Sequence, residues 1–79
     1  MNKAKLLYTI DAFDHADAVE IAEALESNYS SIAMGLLRLV RQDLATRYIH
    51  PDARRFVYEL TPKGEARLDY LLEDELDDR

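Results

Sequence analysis

Apolar positions recur with a helical period over most of this chain and alternate in one stretch past its middle. Leu6, Leu7, Ile10 and Phe13 form one stripe and predict a helix over 3–13. Asp14-His15-Ala16 reads as a short break. Asp17 stands three residues before Glu20, a capping-box pattern with aspartate in place of serine or threonine. Val19, Ile21, Ala22 and Leu25 then supply the apolar face of a second helix over 18–26. Ser27-Asn28 is turn chemistry, with Asn28 as N-cap of a third helix over 29–42. At about 100° per residue, Ile32, Gly35, Leu36 and Leu39 face the core, and Gly35 permits close backbone approach. Ser30, Met34, Leu37, Arg38 and Arg41 fall on the opposite side. Asp43 suits a left-handed helix end, a role glycine fills more easily.

The period then changes. Residues 44–49, with Thr46, Tyr48 and Ile49, favour a strand. Residues 50–54, with Pro51 and Asp52, favour a turn. Over 55–60, Phe56, Tyr58 and Leu60 point one way and Arg55, Val57 and Glu59 the other. Thr61-Pro62 is a cap followed by proline at the first helical position, so a fourth helix carries Leu68, Leu71 and Leu72. Residues 73–79 are mostly acidic and are expected to fray. The expected fold is mainly α (α+β): a three-helix core, a two-stranded β-hairpin and a C-terminal helix, in a single domain over 1–79.

Composition narrows the chemistry. With 79 residues, the core supplies only about 3–5 kcal/mol. There is no cysteine, so disulfides and thiolate zinc sites are excluded, and self-association is the simplest added support. His15 and His50 lie in different predicted loops, which argues against a metal site. No cofactor motif is present, and nothing has the spacing of a catalytic constellation, so the chain is not expected to be an enzyme. No stretch has the length and apolarity of a membrane span, and a cytoplasmic location is expected.

The net charge is −6, which disfavours indiscriminate nucleic-acid binding. The distribution changes that picture. Residues 38–55 carry Arg38, Arg41, Arg47, Arg54 and Arg55 against Asp43 and Asp52, while both flanks are acidic. A confined basic segment of this kind suits an anion-facing surface, and solvated arginines with a few internal ion pairs are the plain alternative.

The run Ile21-Ala22, Leu25, Ser31-Ile32-Ala33, Leu36, Leu39, Leu44, Arg47, Arg55 and Tyr58-Glu59-Leu60-Thr61-Pro62-Lys63-Gly64 resembles the winged helix-turn-helix regulators of the MarR and PadR type. Its most specific part is Tyr-x-Leu-Thr-x-Lys-Gly, entering the last helix. The resemblance implies a homodimer that binds double-stranded DNA as a sequence-specific transcriptional regulator. The helix over 29–42 would lie in the major groove, and the wing over 49–56 would lie on the backbone. Carried over by position, the DNA-facing residues are Tyr29, Ser30, Ser31, Met34, Arg38, Arg41, Arg47, Arg54 and Arg55. Asp43 stands where the family usually has glycine.

Arginine suits both parts of that role, since it neutralises phosphates and bonds guanine bidentately. Met34 and Leu37 are poorer base readers. They leave open a second possibility, a winged-helix module that binds a protein partner through them and does not bind DNA. For the dimer, Leu6, Leu7, Tyr8 and Ile10 of the first helix and Tyr70, Leu71 and Leu76 of the last offer apolar surface.

Overall fold

The computed structural model describes residues 3–13, 16–52 and 55–77, except for the side chains of 74–77. The elements are α1 (Lys3–Ala12), β1 (Ala16–Asp17), α2 (Ala18–Ala24), α3 (Tyr29–Arg41), β2 (Ala45–Ile49), β3 (Phe56–Leu60) and α4 (Pro62–Asp77). The strands form an antiparallel sheet in the order β1-β3-β2. This is the winged helix-turn-helix that the sequence predicts. The core gathers Leu6, Leu7 and Ile10 of α1, Ile21 of α2, Ile32, Leu36 and Leu39 of α3, and Leu68 of α4 around Tyr58.

Local rules set the helix ends. Asp17 Oδ1 accepts from the Glu20 backbone N–H at 2.8 Å, and Glu20 Oε1 accepts from the Asp17 N–H at 3.2 Å. These two bonds complete the capping box and fix the entry into α2. Asn28 Oδ1 accepts from the Ser31 N–H at 2.8 Å and starts α3. Both helices close in the same way. Ser27 N–H bonds Ala22 O and Glu26 N–H bonds Glu23 O; Leu44 N–H bonds Leu39 O and Asp43 N–H bonds Val40 O. Each pair of bonds is a Schellman motif, which demands a left-handed residue. Asp43 supplies it at φ 62°, as its position suggests, and Glu26 supplies the other at φ 51°.

The Thr-Pro-Lys-Gly segment fastens the end of α3 to the start of α4. Thr61 Oγ1 donates to Asp43 O at 2.7 Å and accepts from the Gly64 N–H at 2.9 Å. Thr61 N–H bonds Leu44 O, and Lys63 Nζ donates to Gln42 O at 3.2 Å. Gly64 lies so close to Leu44 that a side chain would overlap its carbonyl oxygen. At the other end of the core, Gly35 brings α3 within 2.9 Å of Leu6 Cδ2, measured from where a Cβ would stand.

The structure departs from the sequence pattern in four places. A third strand, β1, joins the hairpin, with Ala16 opposite Tyr58 and Asp17 opposite Val57. β3 is therefore central, and Val57 is buried along with Tyr58 instead of alternating with it. Val19 and Phe13 leave the core faces assigned to them and are exposed. Leu6, Leu7 and Ile10 are buried within the monomer and cannot serve a dimer, which leaves Tyr8 on α1 and Tyr70 on α4 exposed. α4 runs from Pro62 to Asp77, and no glycine or proline interrupts it after Gly64. Residues 14–15, 53–54 and 78–79, which include His15 and Arg54, lie outside the described residues.

Candidate nucleic-acid interface

The buried stripe of α3, Ile32, Leu36 and Leu39, sets which side faces outward. Opposite it stand Ser30, Met34, Arg38 and Arg41, all exposed, with Tyr29 and Ser31 exposed beside them. Arg38 and Arg41 occupy the last turn, where a cation also complements the helix dipole. Ser30, Ser31, Met34 and Arg38 together line a shallow depression on this face. Leu37 is half-buried and is neither core nor free surface. It borders the groove that separates α3 from the sheet.

The wing supplies the other wall of that groove. β2 and β3 pair with Arg47 opposite Tyr58 and Ile49 opposite Phe56. This register puts Arg47 and Phe56 on a diagonal of one face, and the Arg47 guanidinium carbon sits 4.3 Å from the Phe56 ring centroid. The cation–π contact holds an exposed cation in a fixed place over the sheet. On the strands, Tyr48 Oη donates to Glu59 Oε2 at 3.2 Å. At the tip, His50 N–H bonds Arg55 O at 3.1 Å, and the Asp52 N–H bonds His50 Nδ1 at 3.2 Å.

Where the tip turn enters β3, Arg55 Nε lies 2.8 Å from Asp17 Oδ2. By distance this is an ion pair. The N–H does not aim at the oxygen, however, and Oδ2 is buried without an aligned hydrogen bond. The groove between α3 and the wing has a volume of about 450 Å³ and gathers Asp17, Met34, Leu37, Arg47, Arg55 and Phe56.

Arg47 and Arg55 of the wing thus line this groove with Tyr29 and Met34 of α3, while Arg38 lines the separate depression with Ser30 and Ser31, and Arg41 lines neither. Arg54 falls outside the described residues. Sequence periodicity did not find three neighbours of these cations. The alternation puts Phe56 in a row with Tyr58 and Leu60 without showing a cation beside it, the helical period puts Val19 on a buried face, and Asp17 reads only as a cap. Each acquires its place from a partner distant in sequence. Among the described residues, no group of His, Cys, Asp and Glu is placed to hold a metal ion.

No family model and no curated protein matches the chain. Solved structures do. A MarR-family transcription regulator is 29% identical, with a TM-score of 0.88, covering 95% of this chain and 50% of that one. The MepR–DNA complex of S. aureus is 24% identical, with a TM-score of 0.80 over 95% of this chain and 57% of that one. The transcriptional regulator SlyA is 16% identical, with a TM-score of 0.86 over 96% and 54%. Of these three, the first is a MarR-family transcription regulator, the second is bound to DNA and the third is a transcriptional regulator. The chain spans between half and three-fifths of their length. No helix among the described residues is long and apolar enough to cross a membrane.

Proposed function

We propose that this chain is a sequence-specific double-stranded DNA-binding regulator of transcription, located in the cytoplasm, and not an enzyme. One observation carries the reading. The exposed Arg38 and Arg41 stand on the face of α3 opposite its buried stripe, and Arg47 and Arg55 line the groove between the wing and Met34 of α3, so an acidic chain carries four of its arginines on the two elements that would meet DNA. α3 would enter the major groove with Ser30, Met34, Arg38 and Arg41 toward the base edges. The exposed Tyr29 and Ser31 would meet backbone phosphates at the start of the helix. Arg47, Arg54 and Arg55 would follow the phosphates along the wing. The fold shared with the DNA-bound MepR supports this placement.

The same reading includes a homodimer. α1 and α4 leave an apolar groove of about 500 Å³, lined by Tyr8, Phe13, Leu25 and Leu72, on elements other than α3 and the wing. A second copy seated there would bury Tyr8 and Phe13 and leave both copies of α3 free to bind two half-sites.

The test is a titration with genomic fragments, including the chain's own promoter, at two salt concentrations. Binding should weaken steeply with salt, by about one logarithmic unit of slope per phosphate neutralised. Arg38→Ala should cost about 1–3 kcal/mol and relax sequence preference. If the native protein shifts no fragment at low salt, the regulator reading is wrong and a protein partner at Met34 and Leu37 takes its place.

A further inference from the structure

We propose that Asp17 is a positioning residue for DNA recognition, whose buried carboxylate orients Arg55 so that the terminal nitrogens of the guanidinium meet a phosphate at the tip end of the wing. The proposal rests on the DNA-binding reading above and extends it to a residue outside α3 and the wing. The two partners differ sharply in exposure: the Asp17 side chain is 4% accessible and that of Arg55 60%. The acid is fixed and the base reaches outward.

Asp17 is fixed by three independent constraints. Its Oδ1 caps α2, its N–H bonds Glu20, and its backbone pairs with Val57 in the sheet. Its second oxygen lies 2.8 Å from Arg55 Nε. Arginine carries five donors in a rigid fork. The terminal nitrogens make no hydrogen bond to another described side chain, and the Arg55 side chain is 60% accessible. A guanidinium held on one edge is preorganised to bind an anion with the other, which spares the ordering cost of a free arginine.

Stability alone gives a poor account of the pair. A carboxylate withdrawn from water gains little net free energy from an ion pair, even a well-made one, and this one leaves Oδ2 without an aligned bond. An acid beside a phosphate-binding groove would also repel DNA unless a cation stood between them. Arg55 stands there, and both residues line the groove against Met34 of α3. The capping box and the tip end of the wing are thereby joined through one side chain.

The test uses Asp17→Asn, because asparagine caps a helix as well as aspartate does and lacks only the charge. DNA affinity of the full chain should fall about 5- to 20-fold, as for the loss of one charge-assisted contact. Arg55→Ala should lose about as much, and the double variant should bind no more weakly than Arg55→Ala alone. Arg55→Lys should not restore binding, since an ammonium has no fork to orient. Circular dichroism should show native helix content in Asp17→Asn. If that variant does not fold, Asp17→Ser, another strong cap without charge, takes its place. Affinity equal to or tighter than native in the folded Asp17 variant overturns the proposal, as does a double variant in which the two losses multiply. A native protein that binds no duplex overturns the DNA reading and this proposal together, whereas native binding with an undisturbed Asp17 variant overturns this one alone.

Discussion

Adding one methyl group to Gly64 should do more damage than its size suggests. The Cβ of alanine there would overlap the Leu44 carbonyl oxygen and stand 2.9 Å from the carbonyl carbon. Both obstacles are backbone, and that carbonyl is already held by the Thr61 N–H at 3.1 Å. Neither can rotate away, so the first turn of α4 must lift from the end of α3. Alanine in a helix gains about 0.5–1 kcal/mol over glycine. Overpacking against a fixed neighbour costs about 1–3 kcal/mol, occasionally more. The rigid obstacle puts Gly64→Ala at the upper end, a net loss of about 2–3 kcal/mol. For a domain of this size, that lowers the melting temperature by about 8–20 °C.

Gly35→Ala is the matched control. There the obstacle is Leu6 Cδ2 at 2.9 Å, the far end of a flexible side chain, and the same helix gain applies. Its stability should stay within about 1 kcal/mol of native. Thermal and urea unfolding of both variants, followed by circular dichroism, decides the matter. If Gly64→Ala melts with the native protein, or if Gly35→Ala is the more damaging of the two, the close-approach argument is wrong.

Three further outcomes follow from the helix ends and the apolar groove. Glu26 holds φ 51° without the side chain best suited to it. Relief of about 1–2 kcal/mol of left-handed strain outweighs the added unfolded-state entropy of glycine, so Glu26→Gly should raise the urea midpoint; a lower midpoint refutes this. Asn28→Ala should destabilise by about 1 kcal/mol through the lost bond to the Ser31 N–H, while Asn28→Asp should stay near native in the same unfolding assay. Tyr8→Glu places a charge in the groove of α1 and α4 and should shift sedimentation of the proposed dimer toward monomer without lowering the helix signal. An unchanged sedimentation profile would move the interface elsewhere.

The acidic total and the basic groove are compatible because they occupy different parts of the molecule. Glu65, Asp69 and Glu73 are exposed along α4. Arg38 and Arg41 belong to α3 and Arg47 and Arg55 to the wing, with Arg67 alone among the described arginines on α4. Such a division would favour one docking orientation and disfavour binding by other faces, through like-charge repulsion with phosphates.

What the sequence determined by itself is local. The helices of the core follow from a period of 3.6, and their starts at Asp17, Asn28 and Thr61 follow from side chains that can bond an N–H three residues on. The left-handed Asp43 follows from the same short-range chemistry. The outward face of α3 was legible for the same reason, since helical geometry alone sets Arg38 and Arg41 opposite Ile32, Leu36 and Leu39.

Tertiary structure decided whatever depends on a partner far along the chain. β1 is two residues long and has no periodic signal; it exists because Ala16 and Asp17 find the free edge of β3. That third strand makes β3 central and buries Val57, which no alternation rule could show. Gly64 looks like an ordinary break in a helix until Leu44 is brought against it. Asp17 reads as a cap in one dimension and becomes the anchor of Arg55 only when the hairpin folds back across the start of α2. Long-range contacts of this kind have no fixed sequence spacing, because loop closure lets many separations meet at similar entropic cost.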